Sequence, residues 1–525
     1  MTKANASTKG LLSVIERAGN RLPDPVVIFV LLIAFLIVFS AAASWMGLSV
    51  EHPTQKAESG TPVEVKAVSL VESTQIRRLW VEMPQTFTHF HPLGYVLVVM
   101  LGAGVAERSG LFSAAMRQGV RWAPVSLLTP AVAFVGMMGN LAADAAYVVL
   151  IPLAGVLYAA AGRHPVAGIV TAFAGVSGGF SANLLPGQLD ALLFGITETA
   201  AEQVVPGWDA NIAGNWYFIA GMLVLFLPVI WWVTDKVIEP RLVRAGAPDG
   251  EAMKSLGDAN APLSPAEKKG LLRASLAALA VCALWAFFAL GPGTPLIDEG
   301  AAVPEARLTP FYQSLVAGFF VMFLAAGWAY GRAVGTLKSH RDGIKMMAGA
   351  MHDLSYYLVL AFVAAHFVAM FNWSNLGLIF AVTGAGAIEH SGLPMPALLA
   401  LIVLFAATVN LFIGSASAKW ALLAPVLVPM MMLLGVSAEM TTAAYRVGDS
   451  VTNIITPLMV YFPLVLTFCQ RWRTDFGLGS LSASMLPYSF GLLLVGLAQT
   501  FFWVYLELPL GPGAGVHYTL PSVTP

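Results

Sequence analysis

The sequence contains few charged residues for its length. Only 11% of its 525 residues are Asp, Glu, Lys or Arg, and 58% are hydrophobic. A soluble globular chain carries about 25% charged residues. A chain so poor in charge cannot cover its surface with water-facing side chains, so most of that surface must face lipid. The sequence therefore predicts an all-α polytopic membrane protein.

Other classes of protein also lack their usual signals here. The net charge of −1 leaves no basic stripe for nucleic acid, and the two cysteines, Cys282 and Cys469, are too few for a disulfide framework. The nine histidines show no HExxH spacing, and no GxxxxGKS or GxxxxGKT string predicts nucleotide hydrolysis. We expect no cofactor, and any energy that the chain requires must come from an ion or solute gradient rather than from nucleotide hydrolysis.

Long apolar runs predict the membrane-spanning helices. Seven ordinary spans of about 20 residues are predicted at about 26–46, 90–107, 215–235, 271–290, 311–331, 355–383 and 484–506. Four further apolar stretches, about 111–160, 165–200, 395–435 and 440–468, are each interrupted near the middle. The interruptions are GNLAAD (139–144), SANLLPG (181–187), GSASAK (414–419) and DSVTNIITP (449–457). Irregular backbone is tolerated in a membrane only where it is buried in protein or lines a wet cavity, so these breaks predict a site.

Basic residues give the expected orientation. Lys and Arg cluster in three segments, about 236–273, 332–345 and 471–473, which are predicted to be cytoplasmic. The N-terminus is then expected inside, with the 47–86 loop outside.

One ten-residue sequence segment, called the phrase below, occurs twice in the chain. GAGVAERSGL (102–111) and GAGAIEHSGL (384–393) agree at seven of ten positions, and matching breaks follow both copies. Paired interrupted segments of this kind are typical of the inverted repeats of secondary transporters, which bind substrate where the breaks meet.

The repeats give the expected organisation of the chain. An N-terminal helix and outer loop (1–90) precede a first repeat (91–235), which contains hairpin 1 (about 111–160) and a broken helix (about 165–200). A cytoplasmic loop (236–270) and scaffold helices (271–353) follow. A second repeat (354–510), with hairpin 2 (about 395–435) and a broken helix (about 440–468), precedes a tail (511–525).

The breaks supply the candidate polar ligands. Small and amide side chains allow a ligand to approach the free N–H and C=O groups of helix ends. The candidates are Asn140, Ser181, Asn183, Ser415, Ser417, Thr452 and Asn453. The alternative is that each only satisfies backbone groups in a bent helix.

Ionisable residues within spans are functional candidates because burying them in a bilayer is costly. They are Asp144, Asp190, Lys419, Arg446 and Asp449. Asp190 has no basic neighbour in sequence, which predicts an unpaired carboxylate able to carry a proton. Arg446 and Asp449 are spaced i, i+3, so they form either a structural ion pair or a contact with substrate, for which Arg446 is the best candidate to bind a carboxylate.

Two further features each allow two interpretations. Trp420 lies just past a break and is either an interfacial anchor or, at depth, a stacking surface for an aromatic ligand. Gly175-Val176-Ser177-Gly178 is a GxSG string that resembles the nucleophile segment of intramembrane serine proteases. A nucleophile needs a base within reach, and His366 is the only histidine deep in a predicted span.

Five motifs together resemble the aminobenzoyl-glutamate transporter (AbgT) family over nearly the whole chain. They are AGRHPVAG (161–168), GFSANLL (179–185), FVAMFNWSN (367–375), SASAKWALLAP (415–425) and RVGDSVTNIITP (446–457). The TNIITP string is similar to that of the drug-efflux members of the family.

The resemblance implies a fold and a function. It implies a homodimer in the bacterial inner membrane, each subunit with nine transmembrane helices and two re-entrant hairpins. It also implies transport of p-aminobenzoyl-glutamate or p-aminobenzoate, or efflux of sulfonamides, with functional positions at Asp190, Ser417, Trp420, Arg446, Asp449 and Pro457. Relatives in the wider superfamily bind sodium between hairpin tip and broken helix, which here implies Asn140, Asn183, Ser415 and Asn453. Coupling to protons, to sodium or to both stays open, and a passive channel or a membrane protease are the alternatives.

Overall fold

Helices make up most of the fold, as the composition predicts. The computed structural model describes residues 25–56, 62–121, 124–142, 146–246, 248, 263–290, 293–300, 307, 309–456, 459 and 461–520. Before the first interrupted stretch these residues form helices α1 to α3, at Pro25–Trp45, Ser73–Thr88 and His91–Arg108. Within the described residues, seven helices are long and apolar enough to cross a membrane: Val26–Trp45, Trp216–Arg244, Pro265–Phe287, Leu315–Val334, Ser355–Trp373, Ala416–Leu433 and Leu478–Tyr505.

A small β-hairpin departs from the all-α expectation. It consists of two antiparallel strands, β1 and β2, at Ser49–Lys56 and Pro62–Lys66. The hairpin and α2 replace the plain loop expected at 47–86. The FNWSN motif holds this region in place, because the Ser374 carbonyl accepts from the Val68 N–H at 3.0 Å and Asn375 Nδ2 donates to the Lys66 carbonyl at 2.8 Å.

The first repeat is divided into short helices. They are α4 to α8, at Leu111–Arg121, Leu128–Met138, Ile151–Ala160, Pro165–Phe173 and Gln188–Ala201, with π-helical turns at Ala146–Leu150 and Ala174–Gly178. The predicted interruptions near 139–144 and 181–187 are confirmed, since no α-helix runs through the described residues there. With a rise of 1.5 Å per residue, the 11 residues of α5 span about 16 Å, and α6 together with the π-helical turn that leads into it (146–160) spans about 22 Å, both less than the roughly 30 Å of a bilayer core.

The middle of the chain contains both long and short helices. They are α9 to α14, at Trp216–Trp232, Glu239–Ala245, Pro265–Phe287, Thr309–Gln313, Leu315–Val334 and His340–Asp353. A π-helical turn at Val233–Ile238 joins α9 to α10. Arg163 of the AGRHPVAG motif lies in the turn before α7 and pairs with Asp235 (2.6 Å) and with Glu239, which fixes the first repeat to this helical rod.

The second repeat and the C-terminal helix complete the fold. They form α15 to α21, at Ser355–Trp373, Leu376–Ser391, Met395–Asn410, Ala416–Leu433, Ala438–Thr452, Phe462–Gln470 and Leu478–Tyr505. The predicted single span at 355–383 is wrong, because Asn375 adopts a left-handed conformation (φ 59°) and divides it into α15 and α16. The interruptions near 414 and after 452 are confirmed. The largest apolar core packs α5 to α7 and α9 against α17 and α19 to α21.

The repeated phrase ends a helix in both places. GAGVAERSGL closes α3 and GAGAIEHSGL closes α16. In each copy the glycine of the SGL triplet takes a left-handed conformation, with φ of 92° at Gly110 and 66° at Gly392. The serine before it, Ser109 or Ser391, donates its hydroxyl to the carbonyl three residues earlier at 2.9 or 2.6 Å. The two phrases are therefore the same helix terminus, which only glycine adopts without strain.

Candidate functional site

Asp190 lies where the first broken helix resumes. Its Oδ2 accepts from the Gly187 N–H at 2.7 Å and so caps the N-terminus of α8. Its other oxygen, Oδ1, accepts from Arg446 Nη1 at 2.6 Å. The prediction of an unpaired Asp190 is wrong, because α19 places an arginine beside it from a position 256 residues away in sequence. Both side chains are buried, at 4% and 1% exposed, so this pair is shielded from water.

Asp449 forms a second buried ion pair. Lys419 Nζ lies 2.5 Å from Asp449 Oδ1, and the same ammonium group donates to Asn410 Oδ1. Lys419 is fully buried and Asp449 is 2% exposed. The predicted i, i+3 pair between Arg446 and Asp449 is therefore wrong, since each of these residues pairs with a different element: Arg446 with α8 and Asp449 with α18.

Asn410 is a site residue that the sequence analysis missed. It ends α17, and its Nδ2 donates to the Asp449 carbonyl (2.7 Å), Thr452 Oγ1 (2.9 Å) and Asn453 Oδ1 (2.8 Å). This amide joins the second hairpin to the second broken helix. An asparagine at the end of an otherwise apolar helix, four residues before the predicted break, was the signal available in the sequence.

Trp420 is buried at depth, so its interpretation as an interfacial anchor is wrong. The indole is 0% exposed and stacks on Tyr445, with ring centroids 4.4 Å apart and an interplanar angle of 25°. Its Nε1 donates to Thr197 Oγ1 on α8 at 2.9 Å. Tyr445, also missed from the sequence, donates its hydroxyl to the Ala416 carbonyl at 2.6 Å and lies 3.2 Å from Asp449 Oδ1. The stacked rings of Trp420 and Tyr445 thus lie next to the Lys419–Asp449 pair, and Tyr445 directly precedes Arg446 in α19.

The two broken helices contact each other. The Ser181 N–H donates to Ser450 Oγ at 3.1 Å, and Asn453 Nδ2 reaches the Ser177 carbonyl at 3.4 Å. Asn140, at the first hairpin tip, donates to the Gly179 carbonyl at 3.4 Å. The structure therefore brings Asn140, Ser181, Thr452 and Asn453 to one region where both breaks meet. Asp144 and Pro457, also predicted site residues, lie outside the described residues.

The residues implied as sodium ligands differ between the two tips. At the second tip the side-chain oxygens are already used: Ser415 Oγ accepts from the Ala418 N–H at 3.3 Å, and Asn453 Oδ1 accepts from Asn410. A cation beside Asp449 would also meet the Lys419 ammonium, so this tip does not fit sodium. At the first break Asn183 Oδ1 accepts from the Leu185 N–H at 3.3 Å. Buried Ser181 Oγ, by contrast, has no hydrogen-bond partner within the described part of the chain, which leaves an oxygen that a cation could use.

Three cavities lie along α8 and α15: the first beneath the β-hairpin, the second beside α2 and the third beside α18. Two of them, of about 720 and 480 Å³, share Thr199, Glu202 and Asn372 as lining residues. A third, of only about 10 Å³, shares Phe90 with the second and is lined by Ser417. Ser417 therefore lines a small cavity of mostly apolar side chains, and its hydroxyl is 3.3 Å from that of Ser415.

The GxSG segment lacks protease geometry. Ser177 is fully buried, and its hydroxyl donates to Met459 Sδ at 3.0 Å. His366 bonds through Nδ1 to the Phe362 carbonyl of its own helix at 2.6 Å. The serine is therefore turned toward a thioether rather than toward a base.

Comparison with known proteins agrees with this geometry. Residues 10–518 match the AbgT putative transporter family. The chain is 35% identical over 502 residues to the p-aminobenzoyl-glutamate transport protein of Escherichia coli K12, which covers 95% of both chains. It is similar to the crystal structure of the Alcanivorax borkumensis YdaH transporter, with a TM-score of 0.85 and 41% identity over 93% of this chain and 100% of that one. It is also similar to the structure of Neisseria gonorrhoeae MtrF, described with a class of antimetabolite efflux pumps, with a TM-score of 0.89 and 40% identity over 96% and 100% of the two chains. The chain is therefore a multi-pass membrane transport protein rather than an enzyme, and it belongs to the AbgT transporter family.

Proposed function

We propose that the chain is a secondary active transporter of p-aminobenzoyl-glutamate, p-aminobenzoate and similar aromatic carboxylates, and of sulfonamide antimetabolites. The name of the relative in E. coli supports p-aminobenzoyl-glutamate, and that of the relative in N. gonorrhoeae supports antimetabolites. p-Aminobenzoate and sulfonamides are what the family resemblance of the sequence motifs implies. We further propose that it acts in the bacterial inner membrane as a homodimer and is driven by a proton or sodium gradient.

The buried Arg446–Asp190 pair is the observation that carries this proposal. One guanidinium nitrogen, Nη1, binds Asp190, while Nε has no partner among the described residues. Guanidinium binds carboxylates through two parallel hydrogen bonds, so a substrate carboxylate competes with Asp190 for Arg446. A proton taken up by Asp190 weakens its hold on Arg446. Substrate binding is thereby linked to the charge state of a buried carboxylate.

Aromatic side chains near the charge pairs can bind the aromatic ring of the substrate. Trp420 and Tyr445 lie next to the charge pairs, and an aromatic ligand gains from an offset or edge contact with such rings. Ser417 lines a small cavity three residues before Trp420, and we propose that it contacts the ligand there.

The short helices of the first hairpin support the expected topology. Since α5, and α6 with its π-helical turn, are each too short to cross a bilayer core of roughly 30 Å, we propose that they enter and return on one side, as a re-entrant hairpin. The pair α17 and α18 forms the corresponding hairpin in a second repeat of opposite orientation. Nine transmembrane helices and two such hairpins complete the proposed architecture, with the N-terminus in the cytoplasm.

Transport by reconstituted protein tests the proposal. Purified protein in liposomes should accumulate labelled p-aminobenzoate or p-aminobenzoyl-glutamate, or expel a sulfonamide, when a proton or sodium gradient is imposed. Collapsing both gradients should abolish accumulation against a concentration gradient. Movement that is unchanged after collapse would show a passive channel, and no movement of any of the three compounds would reject the substrate assignment.

A further inference from the structure

Lys419 is the only ionisable residue in the segment 395–435 that forms the second hairpin. A lysine in an apolar helix ordinarily extends its flexible stem until the ammonium reaches water. Lys419 does the opposite, since its side chain is 0% exposed. The charge of Lys419 must therefore be stabilised by partners inside the protein.

Those partners are oxygens of the kind that hold an alkali cation. The ammonium lies 2.5 Å from Asp449 Oδ1 and donates to Asn410 Oδ1. Asp449 Oδ1 also lies 3.2 Å from the Tyr445 hydroxyl. Carboxylate, amide carbonyl and hydroxyl oxygens are hard ligands, the type that hard cations prefer. A single positive charge in this position neutralises the carboxylate in the same way as a bound sodium ion.

We infer that the Lys419 ammonium is the resident cation of the second hairpin and that it excludes sodium from the oxygens around Asp449. Lys419 is then a residue that determines ion specificity: this hairpin keeps a fixed internal charge throughout the transport cycle. The exclusion of sodium follows from the contacts alone. Its meaning for coupling rests on the proposed function.

The first hairpin differs at the corresponding place. Aligning GNLAAD with GSASAK puts an acidic residue, Asp144, at the position of Lys419, and the segment 124–160 contains no lysine or arginine. A fixed ammonium is therefore a property of the second hairpin alone. Any external cation that drives transport must act elsewhere than beside Asp449.

Removing the ammonium should convert the second hairpin into a sodium site. In Lys419→Met the methionine replaces the lysine stem and leaves Asp449 free to bind a cation. We expect the Tm of the full-length variant in detergent to rise by about 2 °C or more in NaCl, compared with choline chloride of equal ionic strength, beyond any rise of the wild type. Lys269→Met, which removes an exposed lysine of α11, should respond to sodium like the wild type.

Two further variants keep the test decisive. Lys419→Met/Asp449→Asn removes both charges and should lose the added sodium response. Asp449→Asn alone, which does not depend on the folding of Lys419→Met, should leave any sodium response of the wild type unchanged. A folded Lys419→Met with no added response to sodium, or a wild-type sodium response that Asp449→Asn abolishes, would overturn the inference. Neither result depends on whether the liposome experiment detects gradient-driven transport.

Discussion

The two hairpins follow the same sequence phrase but contain different chemistry. Each follows a helix that ends in the same SGL terminus, at Gly110 or Gly392. The first hairpin has short helices of 11 and 10 residues, and its tip residue Asn140 bonds only to backbone carbonyls in the contacts described. The second has helices of 16 and 18 residues and a buried lysine–aspartate pair. The duplicated sequence therefore forms the same helix terminus in both repeats, whereas the buried lysine–aspartate pair and the stacked aromatic rings lie at the second hairpin.

This difference separates residues that end helices from residues that bind the ligand. Substitutions at the helix termini should cost stability and should act alike in both repeats. Substitutions at Arg446 and Trp420 should reduce binding and transport, and they also affect the first repeat because both side chains contact α8. The following predictions, in order of decreasing effect, test that division.

The largest effect is expected from Asp190→Ala/Arg446→Ala. Removing a buried hydrogen-bonded charge that binds a ligand costs about 2–5 kcal/mol, so uptake into liposomes should fall at least about 30-fold. Because both partners are removed, no unpaired charge stays buried and the protein should fold. Arg446→Ala alone should be less stable than the double variant by several kcal/mol, since it leaves Asp190 unpaired. Retained uptake by the folded double variant would remove this pair from the transport site.

Trp420→Phe should weaken binding more moderately. The smaller ring loses the hydrogen bond to Thr197 and part of the stack on Tyr445. Aromatic contacts contribute about 0.5–1.5 kcal/mol, so the Kd for p-aminobenzoate, measured by titration calorimetry, should rise about 2- to 10-fold. The matched control is Trp80→Phe, which alters an exposed tryptophan of α2 and should leave the Kd unchanged. Equal effects at both positions would argue against a ligand role for Trp420.

Alanine at the two repeated glycines should cost equal stability in both repeats. Gly392 has open space where the methyl group of an alanine would lie, so Gly392→Ala tests backbone strain alone, about 1–2 kcal/mol for a left-handed residue. Gly110→Ala should cost the same. Gly386→Ala, in the helical part of the same phrase and also in open space, should be neutral or slightly stabilising. Chemical unfolding would measure all three, and a large cost at only one of the left-handed glycines would contradict the common helix terminus.

Ser177→Ala should have the smallest effect. The substitution removes one hydroxyl–thioether contact, so transport should stay within about twofold of the wild type. A protease acting through this serine would instead lose all activity.

Local features of the fold were readable from the sequence, whereas long-range partners were not. Apolar length located the spans, and glycine, asparagine and proline located the breaks, because these residues act on their own stretch of backbone. The split at Asn375 was missed, since a left-handed asparagine leaves no interruption in the apolar pattern. Arg446 and Asp190 were each singled out, but their pairing depends on how α19 packs against α8, which no local pattern contains.

The prediction of an Arg446–Asp449 pair was wrong because each side chain has a better partner elsewhere. Arg446 and Asp449 have the spacing of a helical ion pair, and sequence offers no reason to reject it. In the folded protein each finds a closer partner on another helix, Asp190 or Lys419. Tertiary contacts outweigh an i, i+3 pair because such a pair contributes only about 0.2–0.5 kcal/mol.

In the proposed mechanism Arg446 binds the carboxylate of the substrate in competition with Asp190. The most direct test is the affinity of purified protein for p-aminobenzoate and for aniline, which lacks the carboxylate, in the wild type and in Arg446→Lys. We predict that the wild type binds p-aminobenzoate at least about 30-fold more tightly than aniline. Arg446→Lys, which keeps the charge but loses the guanidinium fork, should lose most of that preference. Equal binding of the two compounds by the wild type, or a preference unchanged in Arg446→Lys, would show that Arg446 does not bind the substrate carboxylate.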